Sequence, residues 1–246
     1  MNGINIICHQ AALGSVPRSI KKPLSSHINN VNGFLNILIA AKESGIKRVV
    51  YASSSSVYGD NFTLPKIEEK TGNILSPYAA TKAGAELIAQ SYVHSFNMPI
   101  IITRGNNVYG PRQYPEKVNP RFISQLMNNE KITIQGDGSC VRGFLHVFDT
   151  ANAFVTILKK GQIGQIYNIG CDADMEYSVM DIAKLLIKKI KHTDHYENYI
   201  TYIEDRPFND KRYYICNDTL KKLGWNIHID FEDGIDELIK SYMNSN

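Results

Sequence analysis

The sequence has no long apolar run, no block of one charge and no paired cysteines, and each absence removes a class of function. No hydrophobic stretch approaches the ~18 residues a membrane-spanning helix needs. The opening MNGINIICHQ lacks the basic start, apolar core and cleavage site of a signal peptide. Net charge is +3, with acids and bases mixed along the chain, so there is no electrostatic case for nucleic acid or anionic membrane as a partner. Cys8, Cys140, Cys171 and Cys216 lie far apart, form no CxxC pair and have no metal-ligand spacing. They read as ordinary thiols of a reducing compartment. The expectation is a soluble cytoplasmic protein without a metal site. No repeat, low-complexity tract or flexible linker interrupts the 246 residues, whose 43% hydrophobic content can fill one large domain or a domain with a lobe.

What is present is an alternation of short apolar runs and amphipathic helical patterns. INIIC and RVVYAS read as buried strands. Between them HINNVNGFLNILIAAKES carries an apolar stripe at Val31, Phe34, Leu35, Leu38 and Ile39, with Gly45 placed to cap the helix. PYAATKAGAELIAQSYVHSF is a long helix with Pro77 in its first turn, and strand PIIIT follows. Continuously apolar strands separated by helices indicate a parallel sheet covered on both faces. After Arg112 the pattern changes. A short helix near Arg121 to Met127 leads to strand KITIQ, turn GDGS and strand FLHV, then helix DTANAFVTILKK, strand IYNIG and helix VMDIAKLLIKKI. Strand ITYIE, the loop EDRPFNDKRYY and a helix from Phe231 to Met243 close the chain. The fold class is α/β: a doubly wound parallel sheet with a smaller C-terminal lobe, and a ligand where the two meet.

Two stretches carry chemistry. YASSSSVYGD sets four serines directly after an apolar strand. Serine-rich loops are usually only loops, but the next helix begins SPYAATK. Tyr78 and Lys82 are four apart and leave that helix from one face. An ammonium beside a phenol favours the phenolate and pulls its pKa down from about 10, towards a usable general base. In a doubly wound sheet the serines and this helix start meet at one edge.

With these residues the chain resembles the extended short-chain dehydrogenase/reductase superfamily, specifically its NAD-dependent sugar-nucleotide epimerases and dehydratases, over nearly its whole length. HQAALGSVPRSI, KKPLSSHINNVNGFLNILIAAK and YASSSSVYGD resemble UDP-hexose 4-epimerases. PYAATKAGAE, RGNNVYGPRQYPEKVNPRFI, GDGSCVRGFLHV and EDRPFNDKRYY are more similar to dTDP-glucose 4,6-dehydratases. The resemblance implies a Rossmann-like sheet with NAD as cofactor and a nucleotide-diphosphate sugar as substrate. It implies Ser54 as catalytic hydroxyl, Tyr78 as base, and Lys82 as its electrostatic partner and ribose contact. Ala11, Ala12 and Asn30 match positions lining the cofactor, and Asn107 matches a pyrophosphate contact. Arg142 and Arg206 match arginines gripping the nucleotide diphosphate, a role suited to permanently charged guanidinium forks. Asn209 aligns with a residue near the nucleotide.

At the positions of Ser54, Ser55 and Ser56 the similar dehydratases carry Thr-Asp-Glu. Eliminating water needs an acid and a base that a serine hydroxyl does not supply unaided, and losing such a group costs about 10² to 10⁴ in rate. The serines therefore favour UDP-hexose 4-epimerisation through a transient 4-ketone; dTDP-glucose 4,6-dehydration and a non-catalytic sugar-nucleotide-binding fragment are the alternatives. The resemblance also implies a first βαβ unit with a glycine-rich turn. GDGSCVRG from Gly136 lacks the GxGxxG spacing and follows a late strand, so the expectation is an N-terminally truncated sheet. Residues 1–114 and 144–172 are expected to form the partial NAD-binding domain, and 115–143 and 173–246 the sugar-nucleotide lobe. A homodimer is expected through the helices spanning His27 to Ser44 and Tyr78 to His94.

Overall fold

The computed structural model describes residues 3–60, 68, 71–205, 211–212 and 214–244. Its first half runs β1 (Ile6–His9), α1 (Val16–Lys21), α2 (Pro23–His27), one π-helical turn (Ile28–Asn32), α3 (Gly33–Glu43), β2 (Arg48–Ser54) and a 3-10 turn (Ser55–Tyr58), then α4 (Pro77–Phe96) and β3 (Ile100–Gly105). The second half adds β4 (Asn107–Tyr109), α5 (Val118–Met127), β5 (Ile132–Gln135), β6 (Val141–His146), α6 (Val147–Lys160) and β7 (Ile166–Ile169). It closes with β8 (Glu176–Ser178), α7 (Val179–Lys191), β9 (Ile200–Ile203), α8 (Asp218–Lys221) and α9 (Phe231–Met243).

The main sheet has the order β1-β2-β3-β7 and is parallel throughout. Its central strands are apolar on both faces, and helices cover both. Val49, Tyr51, Ile100 and Ile102 pack on one side against Phe34 and Leu38 of α3 and Ala85 and Ala89 of α4. Val50 and Ile101 pack on the other against Ala153 and Ile157 of α6, with Leu220 and Trp225 beneath them. Each fully buried side chain of this size contributes about 1.5 to 3 kcal/mol. The second core lies between α5, α7 and α9, where Phe122, Leu126, Ile182, Leu186, Phe231 and Leu238 surround Ile132, Ile134 and Phe144. It covers two small sheets, β4-β6-β8 and β5-β9.

Two local expectations change. The INIIC strand is not fully buried: β1 pairs only with β2 among the described residues, and Ile6 is 51% exposed. An edge strand covered on one flank reads like a central one, because an apolar run does not reveal how many neighbours it has. The helix expected over 27–44 begins with a π turn at Ile28–Asn32, and the apolar stripe is narrower than its spacing suggested. Phe34 and Leu38 reach the core, whereas Ile39 is 41% exposed. Gly45 caps α3 with φ +61°, as its sequence position requires.

Candidate active site

Everything chemically interesting gathers at the carboxyl edge of the main sheet, where β2 ends in the serines. Ser54 has extended backbone and ends the strand. Its Oγ accepts the Ser56 backbone N–H at 3.2 Å and the Ser56 hydroxyl at 2.9 Å, so the serine run turns at once into the 3-10 turn. Ser55 and Ser56 are buried, and Val57 and Tyr58 anchor the turn in the interior. Gly59 leaves it at φ +66°, with Asn73 O where a Cβ would sit, a position only glycine can fill.

The start of α4 is fixed just as firmly. The Ser76 Oγ accepts the Ala79 N–H at 3.2 Å as N-cap, Pro77 occupies the first turn, and the Tyr78 N–H donates to Ser19 Oγ of α1 at 3.0 Å. Tyr78 and Ser54 thereby line one cavity. Burial pushes the Tyr78 phenol above its ordinary value, and the Ser54 hydrogen bond works against that rise.

Lys82 is buried beneath them. Its Nζ donates to the Ala52 carbonyl at 2.6 Å and lies over the Tyr51 ring. Desolvation lowers its pKa to about 8, opposed by the charge of Glu86 one turn further along α4. The net lowering of the phenol pKa expected from the sequence is not what this chain shows: burial raises it, and the Ser54 hydroxyl is the influence that opposes the rise. The physical reason is that Lys82 is partly neutralised by burial and engaged with Ala52 O. Glu86 is itself held by Arg104, the next-to-last residue of β3. The guanidinium Nε contacts both carboxylate oxygens at 3.0 and 3.2 Å, and Nη2 reaches one at 2.6 Å, with both side chains 2% exposed.

The cavity measures about 700 Å³, within the usual range for a small-molecule site. Ser53, Ser54, Ser55, Ser56 and Tyr78 line it together with Asn107, Gln113, Lys117, Arg121 and Arg142. Asn107 and Arg142 thus share a chamber with Ser54 and Tyr78, and Arg142 Nη1 donates to the Val141 carbonyl at 2.8 Å. Arg206 and Asn209 lie outside the described residues. Ala11 and Ala12 are exposed beyond the end of β1. Asn30 is 2% exposed and works as a clamp: its Oδ1 accepts the Leu13 N–H at 2.7 Å, and its Nδ2 donates to Leu13 O and to Thr81 Oγ1 of α4. It acts through the 10–14 loop, which it ties to the helix carrying Tyr78.

Sequence reasoning missed Arg121, Lys117 and Gln113, because the start of α5 was placed too late for its first turn to face the cavity. It also missed the Glu86–Arg104 pair, although Tyr78, Lys82 and Glu86 repeat at intervals of four along one helix face. Among the described residues no His, Cys, Asp and Glu group is arranged to hold a metal ion, and no helix is long and apolar enough to cross a membrane.

Three polar atoms on the cavity residues lack a protein partner among the described residues: Ser53 Oγ, Gln113 Oε1 and Arg121 Nε. Buried polar atoms are ordinarily satisfied, so this wall fits a polar ligand. The residues present suit a polar nucleotide ligand, with hydroxyls at Ser53, Ser54 and Tyr78 for a ribose and guanidinium groups at Arg121 and Arg142 for a diphosphate.

Comparison with known proteins agrees with this arrangement. The family model for the NAD dependent epimerase/dehydratase family matches residues 1–170. The dTDP-D-glucose 4,6-dehydratase of Bos taurus is 40% identical over 242 residues, spanning 97% of this chain and 68% of the relative. The Dictyostelium discoideum enzyme of that name is 37% identical, and the chain spans 65% of its length. Among solved structures, a dTDP-glucose 4,6-dehydratase from Streptomyces venezuelae with NAD and TYD bound superposes with a TM-score of 0.93 at 31% identity, covering 98% of this chain and 74% of that one. A UDP-glucuronic acid 4-epimerase from Bacillus cereus in complex with UDP-glucuronic acid and NAD gives 0.91 at 28% identity, covering 99% and 76%. Fold, cavity and matched length lead to one conclusion: the chain belongs to the NAD-dependent epimerase/dehydratase family, whose members act on nucleotide sugars.

Proposed function

We propose that the chain interconverts nucleotide-diphosphate hexoses at C4, with a UDP-hexose as substrate. The observation that carries this reading is the composition of the cavity end next to Tyr78. Ser54, Ser55 and Ser56 stand there, and the one carboxylate among the described lining residues, Glu116, is paired with the partly exposed Arg18 at 3.4 Å. An elimination across C5 and C6 needs an acid and a base close to the sugar. An epimerisation needs only a base for the C4 hydroxyl and its reversal.

The residues act as follows. Tyr78, as phenolate, takes the proton of the C4 hydroxyl and later returns it. Ser54 donates a hydrogen bond that holds the C4 oxygen and the phenol together. Lys82 supplies partial positive charge beneath the phenolate and, with Tyr78 and the loop tied by Asn30, forms the surface that holds the cofactor ribose. The chemistry that NAD supplies when bound is acceptance of the C4 hydride and its return. Arg142, Arg121 and Asn107 hold the diphosphate while the sugar end turns over. A second copy of the chain is proposed to cover the 27–44 segment and α4, where Ile28, Ile39 and Leu87 are 49%, 41% and 66% exposed.

The second reading, 4,6-dehydration of dTDP-glucose, is favoured by the 40% identity to enzymes of that name. Incubation with NAD and either UDP-glucose or dTDP-glucose separates the two. Epimerisation gives the C4 epimer, whereas dehydration gives a 4-keto-6-deoxy sugar absorbing in alkali.

A further inference from the structure

The backbone of Tyr78 is fixed by a hydroxyl that belongs to another helix. A helix leaves its first N–H groups without intrahelical partners. At the start of α4 the N-cap Ser76 takes two donors, the Ala79 N–H on its Oγ at 3.2 Å and the Ala80 N–H on its carbonyl at 2.9 Å, and Pro77 has no N–H to give. The Tyr78 N–H is left over. It donates to Ser19 Oγ of α1 at 3.0 Å, across 59 residues of sequence.

The roles in this contact are set by chemistry. A backbone N–H only donates, so Ser19 Oγ accepts. Its own proton goes to the Val16 carbonyl at 2.7 Å, and a carbonyl only accepts. Ser19 is 0% exposed, and its N–H donates to the Ser15 carbonyl at 2.9 Å. Ser15 and Val16 line the cavity together with Tyr78, whereas Ser19 is not among the described lining residues. Asn30 joins the same loop and helix a second time, from Leu13 to Thr81. We propose that Ser19 is a positioning residue for the reaction: it sets the place of Tyr78 by taking the N–H that the helix's own cap does not reach, and so ties the base to the cavity wall at Ser15 and Val16. The proposal rests on the reading of Tyr78 as base. Without the Ser19 hydroxyl the Tyr78 N–H loses its protein partner, and the replacement at hand is water from the cavity that Tyr78 lines. The first turn of α4 then shifts towards that water, and the phenol moves with its backbone. A displacement of about 1 Å at a reacting group costs up to about 10² in rate.

The test compares the parent with Ser19→Ala, Ser19→Cys and Asp230→Ala by two readouts. Asp230 is the N-cap of α9 and is not among the residues lining the cavity, so its loss costs stability alone. The first readout needs neither cofactor nor substrate: amide hydrogen exchange by NMR of protein carrying nitrogen-15 tyrosine, with the Tyr78 signal assigned from Tyr78→Phe. Ser19→Ala is expected to speed Tyr78 exchange about tenfold, the worth of one hydrogen bond, and Asp230→Ala to leave it unchanged. The second is turnover of the UDP-hexose with NAD. There Ser19→Ala is expected to lower kcat by about ten- to a hundredfold with the sugar-nucleotide KM within about twofold, and Asp230→Ala to keep both. Ser19→Cys, whose sulfur is a weak acceptor of similar size, falls between Ser19→Ala and the parent in both readouts and carries the test if Ser19→Ala does not fold. Unchanged Tyr78 exchange or unchanged kcat in Ser19→Ala overturns the proposal. An equal loss of kcat in Asp230→Ala overturns it as well, since stability would then account for the effect. Full turnover in Tyr78→Phe would instead remove the base, and the exchange readout would still report whether Ser19 holds the start of α4.

Discussion

Replacing Glu86 by Gln should destabilise the protein far more than an isosteric change usually does. The Glu86 carboxylate receives three contacts from Arg104 between 2.6 and 3.2 Å, and both residues are 1% exposed. Arg104 also donates through Nη1 to the Glu68 carbonyl at 3.1 Å and stacks over Tyr58, which holds it in the interior. Glu86→Gln therefore leaves a buried guanidinium without its counter-charge, which costs about 3 to 5 kcal/mol. Against a total stability of about 5 to 15 kcal/mol that is a large fraction. For a chain of this size it corresponds to a Tm drop on the order of 10 °C. The double variant Glu86→Leu with Arg104→Met removes both charges and should be closer to the parent than either single change. Thermal and urea unfolding followed by circular dichroism measures all three. A Glu86→Gln variant melting within about 2 °C of the parent would refute the argument that this pair is desolvated and mutually dependent. The change also has a functional edge, because Glu86 supports the charge of Lys82, whose pKa should then fall further below about 8.

Other outcomes follow from the same geometry. Tyr78→Phe should lower turnover by about 10² to 10⁴ or more while nucleotide affinity changes little, as steady-state kinetics and calorimetry would show; activity within tenfold of the parent removes Tyr78 from the mechanism. Arg142→Ala should weaken UDP-sugar binding by about 2 kcal/mol or more, and unchanged affinity by calorimetry would place the diphosphate elsewhere. The Lys82 pKa is depressed from 10.5 to about 8, so folding disfavours its charged form at a cost of about 3 kcal/mol. That cost is fully present below pH 8 and disappears as pH rises towards 10.5, so Lys82→Met should stabilise the protein below pH 8 by an amount that shrinks above it. A stability difference constant from pH 6 to 10 would count against the buried ammonium. Leu87→Glu should shift the protein to a monomer in sedimentation velocity if a second copy covers α4, and an unaltered mass in solution would remove that surface from the interface.

The parts of the fold visible in the sequence were those set by local pattern. Apolar β2 and β3, the Ser76-Pro77 start of α4 and the span Phe231–Met243 of α9 follow from periodicity and capping. Partner choice between distant segments was not visible. Strand β5 ends in the turn GDGS, yet it pairs in parallel with β9 rather than with the strand that follows the turn. Helices α1 and α2 were hidden because each is short and begins at or near a proline, in a stretch that resembles loop. In the site, Ser54, Tyr78 and Lys82 were legible from spacing and resemblance, and the structure brings them together. The direction of influence on Tyr78 was not, because spacing places Lys82 on the right face without revealing that its ammonium turns to Ala52 O. The Ser54–Ser56 contact was equally invisible, since it depends on the strand breaking into a 3-10 turn at the serine run itself.

The most direct test of the account is turnover of UDP-glucose with NAD in deuterium oxide, read by proton NMR of the product. The account predicts the C4 epimer with hydrogen retained at C5, because among the described residues Ser54, Ser55 and Ser56 beside Tyr78 offer no carboxylate to deprotonate carbon. A 4-keto-6-deoxy product, or deuterium at C5, would contradict it and assign the serine run to elimination.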